Sequence, residues 1–247
     1  MVDDAKYKNL QTDRGNIADT YLAVLLFIIG ISSFYFSYIG DVDRAKVLTR
    51  EYGFFETLSA LFYVAGAIAC AVAIWRHGSS RLAWIWMVFC VLFFGEETNW
   101  LQYYIGYSVP SVEQVNRQNE FNFHTLDFLP NNDKKVNAIA DRSILAPQLL
   151  FTVGFIAYFS IFPFLAKIRP FRSIFDWFGW VQPSPRWFWA TWSVLIIFFI
   201  ATFYIVFNPT EQLLYRRHML IETKEMIFAY AIFYYCVLIL WSRGQKE

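Results

Sequence analysis

Apolar runs of about 20 residues, repeated along the chain and joined by short polar connections, restrict this sequence more than any other feature. An α-helix rises about 1.5 Å per residue, so such a run crosses the roughly 30 Å hydrocarbon core of a bilayer. Residues 18–39, 54–75, 144–166, 187–207 and 222–241 read this way, the last counting one upstream turn. The 247-residue chain is 57% hydrophobic and 17% charged, a balance that leaves a soluble domain without enough polar groups to cover itself. The expected fold is all-α, a polytopic membrane helix bundle over a single membrane domain. The first apolar run is too long for a signal-peptide core and is expected to remain in place.

A sixth span is expected over 82–105. Leu82–Phe94 is apolar but too short to cross, and it runs into Gly95, Glu96, Glu97, Thr98 and Asn99 before apolar character returns at Trp100–Tyr107. One helix continuing through the carboxylates would set Glu96 about 21 Å along its axis, inside the bilayer. Carboxylates there are costly and by default mark a functional site. The outward loop 106–143 is long, carries a helix start at Ser108-Val109-Pro110-Ser111, and is expected to be functional.

Six spans place both termini on one side. That side carries 11 of the 21 basic residues on short segments, which assigns it to the cytoplasm by the positive-inside rule. Trp177, Trp180, Trp187, Trp189 and Trp192 then form an interfacial belt on the cytoplasmic face. The opposite side holds 14 of the 20 acidic residues, including every glutamate but the last. The expected location is a cell membrane, the inner membrane if the source is bacterial, with the polar site facing the periplasm or exterior. A net charge of +1 without a long basic run excludes a nucleic-acid partner. Cys70, Cys90 and Cys236 lie in apolar runs without CxxC spacing and read as free thiols.

Four stretches bring polar residues to the outward side. The second helix opens on Glu51 and Glu56; the third carries Glu96 and Glu97 with Asn99 and Gln102; the loop carries Asn116, Gln118, Glu120, Asn122 and His124; the last helix is entered through His218, Glu222, Lys224 and Glu225. Glu120 and His124 are four apart, as are His218 and Glu222, so each pair shares a face on a helix and offers joint metal ligands. Carboxylate and imidazole suit zinc, manganese or iron. The candidate catalytic set is Glu96, Glu97, Glu120 and His124. The candidate metal ligands are Glu97, Glu120, His124, Glu222 and Glu225, with Glu56, Asn99, Gln102, Asn116, Gln118 and Asn122 as supporting groups.

Plainer roles stand beside these. Glu51 and Glu56 suit a helix N-terminus through the macrodipole. Glu96 and Glu97 find possible counter-ions in Arg50, Arg117, Arg142, Arg216 and Arg217. His77 and His218 read as interfacial residues beside arginines.

The strings REYGFFE (50–56), GEETNWLQ (95–102) and NRQNEFNFH (116–124) resemble a family of bacterial integral membrane proteins whose motifs read approximately EDGxxE, GEEISWGQR and NxQxExNLHN. The shared positions are Glu51, Gly53 and Glu56; Gly95, Glu96, Glu97, Trp100 and Gln102; and Asn116, Gln118, Glu120, Asn122 and His124. Tyr52, Asn99, Leu101, Tyr103 and Thr125 depart from it, Leu101 standing for a glycine and Tyr103 for an arginine. The resemblance implies a membrane fold and this polar set, and no particular reaction. A looser similarity in chemistry is to CAAX-protease-like membrane hydrolases, which also place a Glu-Glu pair late in a helix but want arginine where Leu101 stands.

Two functions fit this reading. The first is a metal-dependent or acid/base hydrolase acting on a lipid or lipid-linked substrate, in which burial and mutual repulsion make one of the paired glutamates a proton donor. The second is non-catalytic, a proton or cation path or a polar network that positions partner subunits.

Overall fold

The computed structural model describes residues 4–49, 53–78, 80–116, 147–208 and 210–243, and among these every regular element is helical. The chain forms two compact units, residues 1–94 with 178–247, and residues 95–177. The first holds α1 (Asp4–Phe34), α2 (Val42–Leu48), α3 (Phe54–His77), most of α4 (Arg81–Glu97), α10 (Pro185–Phe207) and α11 (Glu211–Arg243). Among the described residues, four helices are long and apolar enough to cross a membrane: Asn16–Ile39, Phe54–His77, Pro185–Phe207 and Tyr215–Ser242.

The helix ends follow local chemistry. Asp41 accepts from Arg44 N at 2.9 Å to start α2, and Ser184 accepts from Trp187 N at 3.0 Å to start α10 with Pro185 in its first turn. Glu56 lies in the first turn of α3 and Arg76 and His77 in its last, each complementing the helix dipole. Gly78, at φ +77°, ends α3 in a conformation that side chains disfavour.

The centre of the first unit is α11. Protein buries 67% of its most apolar stretch, against 28%, 39% and 33% for the spans of α1, α3 and α10, so the others enclose it. Outward positions such as Ile28, Ile68, Ile200 and Phe203 are exposed apolar surface of the kind that lipid covers. On α3 the buried positions Ser59, Ala60, Gly66, Ala69 and Ala73 are small, which lets its backbone approach α11. A Cβ on Gly66 would lie 3.5 Å from Phe233 Cα. Phe62 meets Tyr230 edge-on at 4.9 Å, and Trp86 of α4 meets Tyr235 at 5.5 Å.

Hydrogen bonds tie both ends of this bundle. At the Asn16 end of the α1 span, buried Asp19 accepts from Ser184 Oγ at 2.7 Å, from Arg186 Nη1 at 3.2 Å and from the Tyr234 hydroxyl. The same hydroxyl reaches the Asp19 carbonyl at 2.6 Å, so α1, α10 and α11 share one polar knot. At the other end α1 widens into a π-turn, Tyr35–Ile39, where Ser37 and Thr223 of α11 share a hydroxyl bond at 2.5 Å. Carbonyls at a helix end lack partners, and Arg216 supplies them, donating to Gly40 O at 3.0 Å and Ser37 O at 3.4 Å.

The second unit contains the end of α4, then α5 (Gln102–Ile105), α6 (Pro110–Glu113), α7 (Pro147–Ile156), α8 (Phe162–Leu165) and nearly all of α9 (Arg169–Phe178). A π-turn at Ala157–Ile161 joins α7 to α8. It precedes Pro163, whose ring would crowd the carbonyl of Phe159 in a regular α-helix.

Within the 144–166 run the described helix extends from Pro147 to Leu165 through α7, the π-turn and α8. One expected span takes another form. The 82–105 run is not one helix. It stops at Glu97, and Asn99, Trp100 and Leu101 follow at φ +46°, +54° and +66°. Three successive left-handed residues reverse the screw of the backbone, so α4 cannot continue into α5.

Candidate functional site

The paired glutamates close α4, and the left-handed turn follows within two residues. Left-handed conformations cost about 1 kcal/mol or more for each residue with a side chain, and such strain concentrates at working sites. Among the described residues, Asn99, Trp100 and Leu101 are the positions other than glycine with positive φ. They fall within the second of the three motifs.

Local contacts hold this turn. Trp100 Nε1 donates to Glu96 Oε1 at 3.1 Å, one helical turn back. Its indole lies across the backbone of Gly95, where a Cβ would come within 2.6–2.8 Å of three ring atoms. Gly95, Glu96 and Trp100 therefore form one device, with glycine present so that the ring can lie flat. The Tyr107 hydroxyl donates to Trp100 O at 2.9 Å, and Thr98 and Asn99 are buried in the turn.

Glu113 closes the arrangement from α6. It accepts from Gln102 Nε2 at 2.7 Å, Ser108 Oγ at 2.8 Å and Val109 N at 2.9 Å. The Ser108 hydroxyl, with the Val109 amide and Gln102, holds this carboxyl below the usual carboxylate range. The acceptance from Val109 N also satisfies an amide at the start of α6. Gln102 is thus a brace between the turn and the segment after it.

The other candidates divide by location. Glu96, Glu97, Asn99 and Gln102 come together in the turn as described, with Glu96 and Glu97 half-buried. Asn116 is buried at the end of the described part of the loop. Glu56 is half-buried in the first turn of α3. Glu222 and Glu225 are half-buried on α11, with Lys224 between them and Arg217 among its charged neighbours. Lys224 Nζ also stands 5.8 Å over the ring of Phe228. Glu51, Gln118, Glu120, Asn122 and His124 lie outside the described residues, as does the side chain of His218.

No group of three or more His, Cys, Asp or Glu among the described residues has an arrangement that could hold a metal ion. The expected metal set draws on Glu120 and His124, so the described part of the set does not fit a metal by itself. What the turn does offer chemically is a pair of adjacent carboxylates, one of them oriented by an indole N–H.

Sequence reasoning misses three features of the structure. Glu113 escapes it by lying between motifs and four residues after the N-cap Val109, one position past the three-residue spacing of a capping box. Asp19 belongs in sequence to the polar N-terminal segment, and no local pattern connects it to Tyr234, 215 residues away. The three cysteines are free and buried, as expected, but Cys90 and Cys236 converge, their sulfurs 3.9 Å apart.

Comparison of the chain with protein-family models, with curated proteins and with solved structures finds no match. The likeness to the bacterial membrane family rests on the three motifs alone.

Proposed function

We propose that the Gly95–Glu113 turn is the catalytic centre of a membrane hydrolase that acts on a lipid or lipid-linked substrate. The observation that carries this reading is the left-handed run Asn99–Leu101 directly after two adjacent glutamates. Strain of this kind persists only where surrounding contacts enforce it, and here Gly95, Trp100, Gln102 and Glu113 do so. In this reading Glu96, oriented by Trp100, is the fixed member of the pair, and Glu97 exchanges a proton with water or with the leaving group. Glu120 and His124 complete the acid/base set. The described carboxylates do not by themselves fit a zinc, manganese or iron ion, and no step is derived through one.

The apolar helices support residence in a membrane. The proposed topology has six crossings with both termini in the cytoplasm and the turn facing outward, toward the periplasm in a bacterial inner membrane. The test uses full-length protein in phospholipid vesicles, with mass spectrometry of released headgroups and elemental analysis of the same preparation. The proposal requires turnover that falls at least 100-fold in Glu97→Gln at unchanged thermal stability. Absence of turnover on every lipid class offered would overturn it.

One observation favours a second reading. Glu96 and Glu113 both use their oxygens to hold the turn together. Carboxylates engaged in this way fit a non-enzymatic polar network that carries protons or cations, or that positions a partner subunit. Equal proton flux in Glu97→Gln and unaltered vesicles would remove the path version of this alternative.

A further inference from the structure

The 167–186 connection has the sequence of a loop between spans, yet it contains α9, whose faces are sharply divided. Phe171, Ile174, Phe175 and Phe178 recur at i, i+3, i+4 and i+7 and fall within an arc of about 100°. Arg169, Arg172, Ser173 and Asp176 occupy the opposite side. Phe171 is 41% exposed and Ile174 51%, so the protein leaves much of this apolar face uncovered. Phe175 touches Phe162 at 5.3 Å, which seats α9 at the end of the apolar Leu150–Leu165 helix.

Position and charge identify the occupant. Only residues 166–168 separate α8 from α9, and Gly179–Ser184 separate α9 from the α10 span, so both ends of α9 are tied to apolar helices. A helix held there with an apolar face outward meets the interface of the bilayer rather than bulk water. Lys167, Arg169 and Arg172 outnumber Asp176 along this stretch. Lys167 Nζ stands 5.6 Å over the Phe164 ring, and the Arg172–Asp176 pair, at 3.8 Å, is exposed and weak.

We propose that α9 is an interfacial helix that binds anionic phospholipid headgroups through Lys167, Arg169 and Arg172 while Phe171, Ile174 and Phe178 lie among the acyl chains. The inference stands on the membrane residence of the protein and is independent of any hydrolase activity. A basic side chain near an anionic surface contributes about a fivefold preference, so three of them give a selectivity that is readily measured.

The experiment reconstitutes the full chain in nanodiscs of phosphatidylcholine alone or mixed with phosphatidylglycerol, with a spin label on Ile174→Cys or on Ser173→Cys. The expected result is oxygen access without nickel-chelate access at position 174, and the reverse at position 173. Phosphatidylglycerol should be enriched around the protein, and the enrichment should fall at least tenfold in the Lys167→Gln, Arg169→Gln, Arg172→Gln protein. Equal nickel-chelate access at both positions would show that α9 does not lie in the interface. Correct depth with unchanged lipid selectivity in the triple variant would overturn the headgroup assignment.

Discussion

Replacing Gly95 with alanine sets two effects against each other, and the structure decides the sign. In a helix interior, glycine to alanine gains about 0.5–1 kcal/mol from backbone entropy and propensity. At position 95 the new methyl would lie 2.6, 2.6 and 2.8 Å from three atoms of the Trp100 indole. The ring is fixed by a left-handed backbone and by its 3.1 Å bond to Glu96, so it cannot withdraw without giving that bond up. Overpacking costs about 1–3 kcal/mol. A lost hydrogen bond to a charged group adds about 1.5–3 kcal/mol when fully buried, and less at this half-buried site. The net expectation is a loss of about 1–3 kcal/mol. Gly154, inside α7, provides the control, because a methyl added there would meet nothing within 4 Å. At that position the same substitution should be neutral or gain up to about 1 kcal/mol. Thermal unfolding in detergent, followed by far-ultraviolet circular dichroism, compares the two. Gly95→Ala as stable as the unaltered protein would refute the packing of Trp100 on the α4 backbone.

Other expectations follow from the same contacts. Tyr234→Phe removes the donor that joins α11 to both the carbonyl and the carboxylate of Asp19, and should cost about 1–3 kcal/mol in thermal or denaturant unfolding. Glu113 is held below the ordinary carboxylate range, so its contribution is fully present above that range and is lost as pH falls through the folded value. Stability measured from neutral to strongly acidic pH should therefore decline less steeply in Glu113→Gln than in the unaltered protein, and parallel curves would contradict the assignment. Trp100→Phe keeps the ring over Gly95 but loses the donor to Glu96, so it should be milder than Trp100→Ala in the same unfolding assay.

The apolar spans are legible in the sequence because hydrocarbon thickness acts directly on composition. Helices are expected over 54–75, 187–207 and 222–241, and α3, α10 and α11 include those runs. The end of α4 is not legible. Trp100 and Leu101 are among the residues least suited to positive φ, and of the three only Asn99 carries a recognisable tendency toward it. Apolar character resumes past the carboxylates, which reads as continuation when hydropathy is the guide. The resemblance to a motif with glycine where Leu101 stands is the available hint, since φ there is +66°. Glu96 and Glu97 stand out because carboxylates after an apolar run are conspicuous. Glu113 does not, because its role depends on Gln102 and Ser108 arriving together, which spacing does not express. The division of α9 into two faces is written at period 3.6, but the segment is shorter than a span and a search by span length passes over it.

Whether α4 ends at the paired glutamates in a left-handed turn can be tested with a sign at position 101. In a left-handed conformation glycine is favoured over alanine by about 1 kcal/mol, whereas inside a continuing helix alanine is favoured by about the same amount. Leu101→Gly and Leu101→Ala remove nearly the same side chain, so comparing their unfolding midpoints isolates the backbone. The left-handed turn predicts that the glycine variant is the more stable of the two; a more stable alanine variant would mean that the helix runs on through the carboxylates and that the proposed site is not built.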